Sequence, residues 1–212
     1  MRSAIVWYGQ TREFAKCYKK WETLINIHKP DIFVHTWDTQ GKSHSYVFDP
    51  ISMLIEKSMT LDHLKDGVHE YSSSALNVLP QMYSIGRATQ LKTDYEKLHG
   101  FTYDWVVRAR MDLSLNNPGG IQFAQMSPRK IHVAHNHWTN VDGMYDDNLL
   151  IMRGNDFDSF HMNLFPYAIE HIRTVRSIPS GEQLMAKFIN ERVWRDHIYK
   201  NPDLDFTLGR HL

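Results

Sequence analysis

Tyr103-Asp104-Trp105-Val106-Val107-Arg108-Ala109-Arg110-Met111-Asp112-Leu113 is the stretch that decides how this chain folds. Trp105, Val106 and Val107 form a short apolar run, β-branched at its centre, and that composition reads as a buried strand. Two arginines and a carboxylate follow, and Pro118-Gly119-Gly120 closes the segment. A strand that turns charged at its carboxyl end delivers the charge to the edge of a sheet, where open α/β sheets hold their ligands. Guanidinium forks suit phosphate oxygens, and an aspartate suits a divalent cation bridging them. The plainer reading is a surface ion pair closing the strand, and the segment alone leaves both open.

Upstream, Pro80 opens a helix with an apolar stripe of Met82, Ile85, Ala88 or Thr89, Leu91, Tyr95 and Leu98, stopped by Gly100. Gln81, Tyr83, Ser84 and Arg87 gather near its start. Further back, Ser3 to Tyr8 is a strand broken by Gly9-Gln10-Thr11-Arg12. Thr11 is placed to cap a helix bearing Phe14, Cys17 or Tyr18, Trp21, Leu24, Ile25 and His28. Strand, glycine turn and helix start make an anion-receptive arrangement, because free backbone N–H groups point outward there. One glycine falls short of a dinucleotide fingerprint, and Arg12 is either a ligand contact or a solvated charge.

Pro30 ends that helix, and Asp31-Ile32-Phe33-Val34-His35-Thr36-Trp37-Asp38 is a second strand. Strand, helix and strand with short links imply a right-handed crossover and a parallel pair. His35, Trp37 and Asp38 again bring polar and aromatic groups to a carboxyl end; Trp37 either stacks on a base or sugar or packs under a loop. From Thr39 to Ser74 the pattern weakens. Asp49-Pro50 before Ile51, Met53, Leu54 and Ile55 predicts a short capped helix, and Ser72-Ser73-Ser74 predicts a mobile flap.

The 212 residues suit one domain, residues 1–212. Lys+Arg and Asp+Glu are 24 each, so no charge excess points to nucleic acid or an anionic membrane. The single cysteine, Cys17, excludes an internal disulfide and a cysteine-based zinc site, which favours a reducing compartment. No apolar run approaches membrane-spanning length and no signal-peptide h-region follows Met1, so the expectation is a soluble cytoplasmic protein.

Taken together, Trp7-Tyr8-Gly9-Gln10-Thr11-Arg12, the strand from Asp31 to Asp38, Gln81-Met82-Tyr83-Ser84 and the strand from Tyr103 to Leu113 resemble a family of glycosyltransferases. That family occurs in bacterial surface-polysaccharide clusters, phages and large viruses. Its members carry a G-Q-x-R turn, a D-[IV]-F-[IV]-H-[TS]-W-[DN] strand, a Y-S helix start and an R-x-R-x-D-[LI] strand end. The resemblance implies a GT-A-like (Rossmann-like) α/β domain with a mostly parallel central sheet flanked by helices. It also implies a nucleoside diphosphate sugar donor, a glycan or other hydroxylated acceptor, and Mn²⁺ or Mg²⁺. By position, Gly9 and Arg12 would border the nucleotide, with Tyr8, His35, Trp37, Tyr83, Ser84, Arg87, Arg108 and Arg110 as further donor-binding candidates. Asp112 would stand for the metal-binding acid. Many GT-A enzymes have two acids in a D-x-D, whereas here Met111 and Leu113 flank a single Asp, so Asp112 needs help from another ligand or from waters. If the chain is viral, its setting is the host cytoplasm, and a modified DNA base becomes a conceivable acceptor that the neutral charge does not support.

Downstream, Lys130 to Trp138 reads as a strand running into a histidine-rich loop, with His135 and His137 on one face; with no third zinc ligand in local register, acceptor contacts or plain surface are favoured over a zinc site. Asp142 to Asp147 is an acidic turn before the apolar strand Asn148 to Met152. Asp146-Asp147 resembles the family's N-D-Q-F-like segment facing the acceptor, where an aspartate would take the acceptor proton; otherwise the turn is simply solvated. Gly154-Asn155 caps a helix with Phe157, Phe160, Leu164 and Phe165. Ser180-Gly181-Glu182-Gln183 fits a capping box ahead of Leu184, Phe188 and Ile189. Glu182 is then either first-turn dipole complementation or, like a P-E-Q segment in relatives, a second catalytic acid. Asn201 to Leu212 is expected across the surface, with His211 as a distant metal candidate. A nucleotidyltransferase and a catalytically silent nucleotide- or sugar-binding domain are the alternative functions.

Overall fold

The computed structural model describes residues 1–38, 49–59, 75–134, 145–175, 180–192 and 197–208. The expected flap at 72–74, the His135 and His137 pair, Asp142 and His211 lie outside them. The strands are β1 (Ser3–Gly9), β2 (Asp31–Asp38), β3 (Ser52–Lys57), β4 (Trp105–Arg110), β5 (Leu113–Leu115), β6 (Ile131–Ala134), β7 (Leu149–Arg153), β8 (Ile198–Asn201) and β9 (Phe206–Leu208). Seven of them form one sheet in the order β3-β2-β1-β4-β7-β6-β8, and β5 pairs with β9 in a separate ribbon. Within the sheet only β7 runs antiparallel to its neighbours. The helices are α1 (Phe14–His28), α2 (Ala75–His99), α3 (Gly154–Met162), α4 (Leu164–Val175) and α5 (Gly181–Glu191).

The two faces of the sheet have separate cores. On one, Trp7, Val34, Val107 and Ile151 pack with Phe14, Trp21 and Leu24 of α1 and with Leu113 and Leu115. On the other, Val6, Phe33, Val106 and Leu150 pack with residues of α2 through α5. Strands covered on both sides read as near-continuous apolar runs, which is why β1 and β4 are legible. Trp7 meets Phe14 and Trp21 edge-on at 5.3 and 5.4 Å, and Cys17 is buried on the same helix face.

Several elements differ from their sequence reading. Thr11 does not cap α1 with its side chain; Glu13 occupies the cap with φ 51°, and the Thr11 carbonyl accepts the Phe14 N–H at 3.2 Å. Ile51 to Ile55 do not form a helix. Met53, Leu54 and Ile55 belong to β3, which pairs in parallel with β2 from Phe33 to Asp38. The open edge of β2 supplies a ladder that outweighs a weak local helix signal. Pro80 lies inside α2 instead of opening it. The expected stripe holds for Met82, Ile85, Ala88 and Thr89, but Leu98 is 79% exposed.

The buried positions of the last α2 turns belong to Lys92 and Glu96. Lys92 Nζ lies 2.5 Å from Glu96 Oε2 and 2.9 Å from Asp158 Oδ1 on α3. Glu96 Oε1 also accepts the Tyr103 N–H at 2.8 Å. This charged cluster ties α2 to α3 and to the start of β4.

The helix expected from Gly154-Asn155 is two helices meeting at Asn163, and its cap is Arg153. Gly154 is required by close approach, since a Cβ there would stand 2.0 Å from the Tyr103 carbonyl oxygen. The capping box at α5 forms as read: Ser180 Oγ accepts the Gln183 N–H and Gln183 Oε1 accepts the Ser180 N–H. The segment after Asn201 is not merely laid across the surface, because Phe206 to Leu208 pair with β5. Among the described residues no helix is long and apolar enough to cross a membrane.

Lys92→Met should leave Glu96 buried without its counter-charge. The expected loss is about 3 kcal/mol of stability, read from the shift in urea midpoint.

Candidate active site at the sheet switch point

Chain order reverses between β1 and β4: β2 and β3 lie to one side of β1, and β4 leads to the other. In doubly wound sheets the crevice for a ligand opens at the carboxyl ends of the two strands flanking such a reversal. Here those ends carry Tyr8-Gly9 and Arg110, with Tyr8 in register with His35 on one side and Arg110 on the other. Gly9 has φ 97°, a conformation in which a side chain would be strained. It turns the chain away so that its N–H meets Ser84 Oγ of α2 at 3.0 Å.

Ser84 begins a buried chain of hydrogen bonds. Its Oγ lies 2.6 Å from His35 Nδ1, and His35 Nε2 lies 2.8 Å from Glu56 Oε2 on β3. A carboxylate only accepts, so Nε2 carries the proton and Nδ1 accepts from the serine hydroxyl. Arg87 Nε donates to the same Glu56 oxygen at 3.2 Å. Burial lowers the His35 pKa below its ordinary value, against the pull of Glu56. Burial raises that of Glu56, but the bonds from His35 and Arg87 outweigh it and the net shift is downward. The ring of His35 sits edge-on to Trp37 at 4.9 Å, and Trp37 stacks on Tyr83 at 5.8 Å. His35, Ser84 and Trp37 are buried beneath the rim, while Tyr83, Arg87 and Gly9 are partly exposed.

On the β4 side, Arg110 grips Asp112 with two parallel bonds, Nε to Oδ1 at 2.9 Å and Nη2 to Oδ2 at 2.6 Å. Its Nη1 donates to Asn148 Oδ1 at 3.1 Å. The Asp112 side chain is 7% exposed and that of Arg110 26%. A divalent cation on Asp112 would have to bind beside that fork, with the guanidinium charge set against it. Among the described residues no group of three or more His, Cys, Asp or Glu is placed to hold a metal ion. The donor set around Asp112 therefore does not fit the cation that the sequence resemblance implies.

The acidic turn before β7 completes the site, and its two aspartates differ. Asp146 Oδ1 accepts the N–H groups of Asn148 and Leu149 at 2.7 and 3.0 Å, which closes the turn. Burial raises its pKa and those bonds hold it back. Asp147 Oδ2 accepts from Gln81 Nε2 at 2.8 Å, and Oδ1 accepts no hydrogen bond from any described residue. The Tyr8 hydroxyl donates to the Asp147 carbonyl at 2.7 Å. Asp147 lies against the start of α5, where a Cβ on Gly181 would fall 1.9 Å from Oδ2. Burial and then the Glu182 carboxylate push the Asp147 pKa up to about 7, with Arg108 and Arg110 opposing. Arg108 is wholly buried below. Its Nη1 faces His161 Nε2 at 3.4 Å, and its Nε and Nη2 have no hydrogen-bond partner among the described residues. His161 Nδ1–H donates to the Phe157 carbonyl at 2.9 Å; burial and then Arg108 hold the ring pKa well below its ordinary value.

Most sequence-derived candidates thus gather at one edge: Tyr8, Gly9, His35, Trp37, Tyr83, Ser84, Arg87, Arg108, Arg110, Asp112, Asp146, Asp147 and Glu182. Arg12 is exposed on the turn after β1. Sequence reasoning missed Glu56, because its strand was read as a helix, and gave no role to Gln81 or Asn148. No clean alternation marks that strand, since Leu54 is apolar between Met53 and Ile55; what makes it a strand is the open edge of β2.

No family model matches this chain, and no curated protein matches it. Among solved structures, a glycosyltransferase involved in the glycosylation of the major capsid of PBCV-1 aligns with 95% of this chain and 82% of its own. The identity is 13% and the TM-score 0.46, a likeness too faint to carry an inference about activity.

Two outcomes follow from this geometry. Ser84→Ala should strand the Gly9 N–H and His35 Nδ1 and cost about 1–3 kcal/mol, measured by denaturant unfolding. Asp147 titrates higher folded than unfolded, so the folded state holds its proton more tightly. Its contribution is therefore greatest below the unfolded value of about 4 and fades as pH rises through about 7. Relative to Asp147→Asn, the wild type should lose stability across that window; an unchanged difference in urea midpoint would contradict it.

Proposed function

We propose that this chain is a GT-A-like glycosyltransferase that moves a sugar from a nucleoside diphosphate sugar to a glycan or other hydroxylated acceptor. The reading rests on one observation: the Gly9 turn, Arg110 and the buried Asp147 carboxylate meet at the switch point of an α/β sheet. The motif resemblance agrees with it. In this reading the donor lies across the carboxyl ends of β1 and β4, with the Gly9 turn and Tyr83 along the nucleotide. Arg110 and Arg87 provide positive charge near the diphosphate, and Arg12 joins them if its loop folds inward.

Asp147 is the base. The acceptor oxygen bonds to the anomeric carbon, the bond from that carbon to the diphosphate oxygen breaks, and its electron pair leaves with the diphosphate. The acceptor proton passes to Asp147, and the configuration inverts. A carboxylate raised to about 7 by burial and Glu182 is a far better proton acceptor than a solvated one at neutral pH. Glu182 acts on Asp147 and not on substrate. Asp146 keeps the turn in shape. Because Asp112 is engaged by Arg110, no step is assigned to a divalent cation.

A calorimetric panel of UDP-, GDP-, CMP- and dTDP-sugars should find one donor that binds. Asp147→Asn should keep that affinity and lower transfer or donor hydrolysis by about 10²–10⁴-fold. In the wild type, kcat/KM should rise as pH increases through about 7. Binding of no donor defeats the reading; binding with full activity in Asp147→Asn leaves a transferase without this base.

A further inference from the structure

We infer that Arg110, clamped by Asp112 and Asn148, is a built-in cation at the diphosphate position, so that donor binding needs no divalent metal. The inference rests on the glycosyltransferase reading above. The sequence resemblance assigns Asp112 to a metal. The side chains around it assign it instead to holding a guanidinium.

The geometry carries the argument. Both Asp112 oxygens are taken by the fork at 2.9 and 2.6 Å, which is the strongest arrangement these two groups can adopt. The carboxylate is nearly buried, whereas a quarter of the Arg110 side chain faces solvent. A metal approaching Asp112 would therefore meet the guanidinium first. Guanidinium carries five N–H donors, and three are used among the described residues: one on Nε and one on Nη2 toward Asp112, and one on Nη1 toward Asn148. The second N–H on each terminal nitrogen remains for a ligand. Arg110 also cannot lose its charge.

The flanking residues agree. In a D-x-D the second acid stands two residues from the first, and those positions here hold Arg110 and Ser114, so that pattern gives Asp112 no second acid. Asn148, a neutral acceptor, stands on the opposite side of Arg110. Asp112 already balances Arg110, so a second carboxylate there would make the group net negative, whereas an amide orients the guanidinium without adding charge.

The test is calorimetry of UDP, GDP, CMP and dTDP, and of the donor found in the panel, against the intact chain in EDTA and in Mn²⁺. Mn²⁺ alone is titrated in parallel and followed by the electron paramagnetic resonance of the free ion. The inference expects affinities that agree within about threefold between EDTA and Mn²⁺, and no stoichiometric Mn²⁺ bound by the wild type. Arg110→Gln should weaken nucleotide binding by about tenfold or more. It should also free Asp112, so that affinity recovers in Mn²⁺ but not in EDTA. Thermal unfolding of each variant separates a lost contact from a lost fold.

A gain of tenfold or more in Mn²⁺ for the wild type, abolished in Asp112→Asn, overturns the inference and leaves the glycosyltransferase reading standing. Absence of nucleotide binding in both buffers overturns the two together. Binding unaffected by Arg110→Gln, with no metal dependence, overturns this inference alone.

Discussion

The register of β1 between β2 and β4 is the constraint on which the site depends. Tyr8 stands beside His35 on one side and Arg110 on the other, and these side chains share the sheet face covered by α2. Strand side chains alternate, so a slip of β1 by one residue would send Tyr8 toward α1 and Trp7 toward α2. Both cores forbid it. Trp7 is wedged between Phe14 and Trp21, and Val6 is buried under the helical layer opposite. Packing on both faces thus fixes a hydrogen-bond register, and that register sets which charges share a rim.

Charge is distributed by the same logic. One buried cluster, Lys92 with Glu96 and Asp158, fastens α2 near the amino end of β4. The other lies at the carboxyl end, where Arg108, Arg110, Asp112, Asp146, Asp147 and Glu182 collect. In the first, one cation, Lys92, lies at contact distance from both carboxylates, and the result is structural. In the second the matching is uneven. Arg110 and Asp112 satisfy each other, Asp146 is satisfied by backbone, and Asp147 is left among like charges. The wholly buried Arg108 guanidinium opposes that raising without cancelling it. Preorganised groups of this kind are costly to fold around and effective in a water-poor site.

Much of this could be read from residue order, for reasons that lie in particular elements. β1, β2 and β4 are buried on both faces, so their apolar runs are unbroken and their charged ends stand out. The α5 cap is local, contained in Ser180 to Gln183, and forms as written. What could not be read is what depends on a distant partner. β3 exists because β2 has a free edge; nothing between Ile51 and Ile55 announces a strand by itself. β9 forms because β5 waits some ninety residues earlier in the chain, with Asn116 Nδ2 donating to Asp205 Oδ2 across that gap at 3.1 Å. Lys92 and Glu96 broke the helical stripe because a salt bridge, invisible in one sequence, substitutes for apolar packing. Asp112 is a different case: its partner is only two residues away and the sequence leaves metal ligand and ion pair both open, and the strand's geometry brings Arg110 and Asp112 head to head.

Cys17 offers a way to watch this fold from inside. It is the chain's single thiol, wholly buried on the inner side of α1, and burial pushes its pKa up to about 11. Only the thiolate reacts readily with alkylating reagents, so the native thiol is protected twice, by lack of access and by protonation. Modification can then proceed only through excursions that lift α1 from the sheet. The labelling rate becomes a clock for those openings, reporting on the layer that buttresses Trp7 without any engineered probe.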